Sequence, residues 1–183
     1  MAWASPNGSV VAVASYAIAW SVAFLVFGPT LSMTQASIAW HGSPDPQVRE
    51  RGPRVILGVG VGLAALMVVA TFTPFAYWLF TTILKAQPQT AVMAAGVARW
   101  LVPMPILHAG SFMLRGKLIA LHRPRAVRLA QFIDLAAIFL IVLLATSLLA
   151  PLLHGFAAAP LAVVAYNLML CVDIGVLSLS LRR

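Results

Sequence analysis

Acidic residues are nearly missing from this 183-residue chain: four Asp and Glu stand against twelve Lys and Arg, and charged residues of both signs make up only 9%. Soluble domains carry about 25% charged residues, so a water-facing surface cannot be built from this composition. Cysteine is almost absent as well. Cys171 stands alone inside an apolar run, which excludes an internal disulfide and any multi-cysteine metal site. Also lacking are a Gly-rich phosphate loop, a Gly-x-Ser-x-Gly elbow and a His-Glu-x-x-His pair. Neither enzymatic catalysis nor a cofactor is therefore expected.

What the chain has instead is apolar length. Hydrophobic residues make up 62% and mean hydropathy is +0.97. A hydrocarbon layer about 30 Å thick needs roughly 20 helical residues. Five stretches meet that length, at about 9–40, 55–84, 91–114, 126–150 and 156–181. The first two exceed it and should be tilted, kinked or partly interfacial. Polar, turn-forming joins separate the stretches, as in His41-Gly-Ser-Pro-Asp-Pro-Gln47, Gln87-Pro-Gln89 and His122-Arg-Pro-Arg125. The expected fold class is all-α, a polytopic transmembrane helix bundle forming one domain over 1–183.

The twelve cationic residues sort by side. With the join after the first span inside, Arg49, Arg51, Arg54, Arg115, Lys117, Arg123, Arg125, Arg128, Arg182 and Arg183 are all cytoplasmic, leaving Lys85 and Arg99 outside. The positive-inside rule then puts the amino terminus outside and the carboxyl terminus in the cytoplasm, as a multi-pass protein of the plasma (cytoplasmic) membrane. The net charge of +8 lies in short joins without aromatic-basic interleaving, so membrane lipids and not nucleic acid are the expected partners. The first residues carry no positive charge ahead of the apolar run, so a cleaved signal peptide is not expected.

Helix breakers interrupt four of the spans: Gly28-Pro29, Pro74, Pro103-Met-Pro105 and Pro160. Pro103 and Pro105 remove two donors within one turn. A bend there would line a cavity or act as a pivot; a static packing kink is the alternative. Gly58-Val-Gly60-Val-Gly62 and the Ala-rich 156–165 stretch indicate close helix approach.

Two carboxylates, Asp134 and Asp173, fall within spans, where each charge costs at least about 2.5–3.5 kcal/mol. Asp134 follows Arg125 by nine residues and Asp173 precedes Arg182 by nine, about 13 Å in each case. The two therefore sit at one depth near the midplane. Neighbouring carboxylates repel and pay for desolvation, so such a pair could share a proton or a small cation; alternatively each accepts hydrogen bonds from Ser, Asn or Gln. Arg128 and Gln131 precede Asp134 at steps of three, a polar stripe in which Arg128 could instead pair with Asp134. Asn167 extends the polar character of the fifth span or glues helices together. His108 could titrate near neutral pH or pack as a satisfied core residue. Arg99, about 24 Å outward of Arg115, faces an anion or snorkels to the outer interface.

The stretch Leu101-Val-Pro-Met-Pro-Ile-Leu-His-Ala-Gly-Ser-Phe-Met-Leu-Arg-Gly-Lys-Leu-Ile-Ala120 resembles the multidrug/oligosaccharidyl-lipid/polysaccharide (MATE-like) exporter superfamily, and with His122-Arg-Pro-Arg-Ala-Val it looks most like the progressive ankylosis proteins. In that superfamily a helix with an early proline ends in an Arg-Gly-type cytoplasmic turn. The order of Pro29-Thr-Leu-Ser-Met-Thr-Gln35, Arg51-Gly-Pro-Arg54 and Thr73-Pro-Phe-Ala-Tyr77 is also similar. The resemblance implies helices two to six of one six-helix half. It further implies ion-coupled export or flipping of a small-molecule or lipid-linked substrate by alternating access, completed by a homodimer or a second transporter half. No binding motif of the superfamily maps onto this chain residue by residue, so Asp134 and Asp173 are singled out by burial cost alone.

Overall fold

The computed structural model describes residues 6–144 and 158–182, and every regular element among them is helical. The expected end of the fourth span at 150 and the start of the fifth at 156 lie outside the described residues. The elements are α1 (Pro6–Phe27), a 3-10 turn (Gly28–Ser32), α2 (Met33–His41), α3 (Pro46–Phe72), α4 (Phe75–Trp78), a π turn (Leu79–Ile83), α5 (Pro88–Trp100), α6 (Met104–Ala120), α7 (Pro124–Leu144) and α8 (Ala158–Arg182). Among the described residues, three segments are long and apolar enough to cross a membrane: Val10–His41, Pro46–Phe72 and Pro160–Arg182. The bent pair α5 and α6 makes a fourth if it counts as one span.

The packing is the reverse of a soluble core. Alanines dominate the interior, among them Ala19, Ala23, Ala91, Ala94, Ala98, Ala109 and Ala130, while Val13, Leu25, Phe132, Leu135 and Phe139 are each more than 60% exposed. Water would penalise such a surface by the area of every outward Leu and Phe. In lipid those side chains are solvated, and small interior residues let backbones approach.

Each helix boundary has a local cause. Gly28-Pro29 breaks the first span, and Thr30 Oγ1 donates to the Phe27 carbonyl at 2.6 Å inside the tightened turn. Asp45 caps α3, accepting from the Gln47 backbone N–H at 2.8 Å with Pro46 at the first helical position. This cap starts the second span at 46 instead of 55. Pro74 holds Thr73 extended at φ −100° and ψ 166°, which ends α3 at Phe72. The expected run to 84 is therefore α3 followed by the short α4 and a π turn.

The third expected stretch is helical beyond both expected ends, from Pro88 to Ala120, and bends by 41° between α5 and α6. Pro103 caps α6 and Pro105 lies within its first turn, where a missing N–H leaves no helical bond unmade. The double proline thus begins a helix. The Arg115-Gly116 turn implied by the exporter resemblance is not a turn: α6 continues through both residues to Ala120. The reversal into α7 comes later, at His122, whose φ is 57°.

α6 is the hub, packed against α2, α3, α7 and α8. Ser37 of α2 donates to the Met113 carbonyl at 2.7 Å, and Arg123 beside α7 reaches the Ser180 carbonyl of α8 at 3.4 Å. These contacts gather the α2–α3 join, the α6–α7 turn and the end of α8 at one end of the bundle. That end carries Arg49, Arg51, Arg54, Lys117, Arg123, Arg125, Arg128 and Arg182.

Of the three expected packing glycines, only Gly60 sits at a crossing. A Cβ there would lie 2.6 Å from Ala109 Cβ and 3.1 Å from the Pro105 carbonyl oxygen, whereas Gly58 and Gly62 have nothing within 4 Å. Gly60→Ala is therefore expected to cost about 1–3 kcal/mol by forcing α3 off the α5–α6 bend. Gly58→Ala and Gly62→Ala should gain up to about 1 kcal/mol of helix propensity. Thermal unfolding in detergent measures all three; equal effects would contradict this crossing.

Candidate functional site

One face of α6 carries His108, Ser111 and Arg115, residues spaced by three and four and so stacked along the helix. That face looks onto α8, and at its lower end onto α7. Arg115 Nη2 donates to Asp134 Oδ2 at 2.8 Å and lies 3.0 Å from Asp173 Oδ2. Ser111 Oγ also donates to Asp173 Oδ2. Asp173 is fully buried and Asp134 is 8% exposed. A single guanidinium thus joins two carboxylates brought from α7 and α8.

The charge does not balance: two carboxylates face one guanidinium. Moreover, Asp134 Oδ1, Asp173 Oδ1 and Arg115 Nε are buried with no hydrogen-bond partner among the described residues. Desolvating an ion costs several kcal/mol, recovered only when geometry is good and the remaining lone pairs are satisfied. Here the second condition is unmet on both acids. Such a cluster can take up one positive charge, as a proton on a carboxylate or a monovalent cation between oxygens. No group of three or more His, Cys, Asp or Glu residues fit for a metal occurs among the described residues.

A second tier lies above. His108 is sandwiched between Phe27 and Phe112, with ring centroids 5.0 and 5.2 Å away, and its Nε2 lies 3.5 Å from Tyr166 Oη. Its Nδ1 is buried without a partner among the described residues. His108 therefore continues the polar face of α6 toward its amino end, away from the cluster. Asn167 turns elsewhere, donating from Nδ2 to the Trp100 carbonyl at 2.9 Å, where it ties α8 to the end of α5.

The polar stripe on α7 divides. Asp134 points into the bundle, while Gln131 and Arg128 are exposed, because steps of three fall short of a full turn and drift around the helix. The ion partner of Asp134 is Arg115, not Arg128. Arg99 is likewise remote from the cluster. It donates from Nε to the Thr71 carbonyl at 3.4 Å and lies 5.3 Å above the Phe72 ring, at the negative end of α3. Pro103 is exposed and Pro105 buried at the bend.

The residue that sequence reasoning missed is Arg115. Counted with the cytoplasmic charges, it is an interior residue with its side chain 17% exposed. The signal was present: Leu118-Ile-Ala-Leu121 after it is apolar enough to carry the helix another turn, and Ser111 and His108 share its face. No protein-family model, curated protein or solved structure matches this chain.

Proposed function

We propose that this chain is an integral membrane transporter or flippase unit, exporter-like and working by alternating access, in which the Asp134–Arg115–Asp173 cluster handles a coupling proton or small cation. One observation carries the reading: two buried carboxylates share one guanidinium, and each keeps an oxygen without a partner among the described residues. A purely structural ion pair would be neutral. A site carrying one surplus negative charge within apolar helices is suited to being filled and emptied.

In this reading α7 adds a fifth span to the four described above. The basic end faces the cytoplasm under the positive-inside rule, and the amino terminus lies outside. The likeness to helices two to six of a MATE-like half supports a pathway completed by a second copy or a second half. Pro103 and Pro105, at the 41° bend, are the pivot.

Asp134→Asn is the discriminating variant, since it leaves Arg115 and Asp173 as a neutral pair and so preserves the fold. In vesicles carrying the purified protein, a proton or sodium gradient is expected to accelerate movement of ethidium or of a fluorescent lipid analogue. Asp134→Asn should abolish that acceleration while its thermal unfolding stays within a few degrees of the parent. Flux no different from protein-free vesicles, or unchanged in the variant, would overturn the proposal. A second reading, a membrane scaffold or assembly subunit, is favoured by the way Arg115 clamps three helices; it predicts that Asp134→Asn weakens assembly and leaves flux untouched.

A further inference from the structure

Every acid of the chain is already committed. Asp45 caps α3, Glu50 pairs with Arg54 at 2.7 Å, and Asp134 and Asp173 share Arg115. Among the described residues, the arginines at the start of α7 are therefore left without a carboxylate. Arg123, Arg125 and Arg128 are exposed and line, with His122, Pro124, Ala126 and Ser180, a groove of about 490 Å³ between the α6–α7 turn and the end of α8.

Three features shape the groove for an anion. The tight reversal at His122 places Arg123 against α8, where its guanidinium donates to the Ser180 carbonyl at 3.4 Å. Arg125 and Arg128 are three apart on α7 and project over the same side. The amino end of the 21-residue α7 adds its positive dipole to the three cations.

A fourth feature distinguishes the source of that anion. Leu129, Phe132, Leu135 and Phe139 continue the same side of α7 away from the groove, each more than half exposed. A molecule with a phosphate head and hydrocarbon tails matches the cation cluster and this lipid-facing stripe at once, whereas a soluble anion would touch the cations alone. Basic pockets between helices at the membrane surface are suited to such head groups.

We propose that this groove binds the phosphate head group of an anionic phospholipid, with the acyl chains lying along the exposed α7 stripe. The site is separate from the buried cluster and does not depend on transport.

Native mass spectrometry of the full chain in detergent tests it, with dioleoylphosphatidylglycerol and dioleoylphosphatidylcholine as probes. The expected result is a saturable preference for phosphatidylglycerol of at least about tenfold. Arg123→Gln/Arg125→Gln/Arg128→Gln should remove that preference. Arg49→Gln/Arg51→Gln/Arg54→Gln, which deletes the same charge from the same end, should keep it within about twofold. Should the first triple variant not fold, Arg125→Gln alone is expected to weaken phosphatidylglycerol about fivefold. Equal affinity for the two lipids on the unaltered protein would overturn the proposal, as would equal losses in both triple variants. Displacement of phosphatidylglycerol by millimolar inorganic phosphate would also overturn it, assigning the groove to a soluble phosphate.

Discussion

Arg115→Leu is expected to destabilise the bundle by about 3–5 kcal/mol, the largest effect of any single substitution considered, because it strands two buried carboxylates without a counter-charge. Asp173 is fully buried and, among the described residues, would keep only Ser111 as a partner, while Asp134 would lose its ion pair with Arg115. Leucine fills much of the space, so the cost is electrostatic and not a cavity. Two controls separate these causes. Arg115→Lys keeps the charge but replaces a planar fork with a point charge, and should lose roughly 1–2 kcal/mol, consistent with one charged hydrogen bond. Arg115→Leu/Asp134→Asn/Asp173→Asn removes all three charges and should recover most of the lost stability. Thermal unfolding in detergent, followed by circular dichroism, reads all three. A triple variant no better than Arg115→Leu alone would mean that shape, not charge, holds this site.

The second large effect is at Gly116. An added Cβ would overlap Ser37 Cβ and lie 2.6 Å from the Thr34 carbonyl oxygen. Backbone cannot retreat as a flexible side chain can, so Gly116→Ala must push α2 and α6 apart. The expected loss is on the order of 3 kcal/mol, and it would include the hydrogen bond from Ser37 Oγ to the Met113 carbonyl. Ser37→Gly added to Gly116→Ala should restore part of the loss, since it removes one of the two obstructions. The pair would then show a coupling energy that distant sites do not. Purely additive losses would place the strain elsewhere.

The helical class was legible because it rests on composition and run length, which need no partner to interpret. Three of the breaks were legible for a similar reason: Gly28-Pro29, Pro74 and Pro103-Met-Pro105 act through local sterics. The double proline interrupts the third stretch with a 41° bend as expected, and Pro105 enters α6 in its first turn. Counting nine residues from Arg125 and from Arg182 brought Asp134 and Asp173 to one depth, and in the structure both meet the same guanidinium. What the sequence could not supply was that guanidinium. Pairing Arg115 with α7 and α8 depends on how three helices cross, and crossing depends on long-range packing at positions such as Gly110, where Ile174 lies 3.4 Å from an added Cβ. Gly60 could not be told from Gly58 and Gly62 either, because spacing of two puts neighbours on different faces without saying which face meets a neighbour.

In the membrane arrangement proposed above, the sharing of Arg115 between α7 and α8 also implies a chronology of synthesis. α6 leaves the ribosome first and would enter the bilayer with an unneutralised cation, at a cost of about 2.5–3.5 kcal/mol. Its two anions arrive only with later helices, after the tight reversal at His122 for one and after a further stretch of chain for the other. Until then α6 is best accommodated at the membrane border or beside the insertion machinery, and the arrival of α7 is what lets it settle.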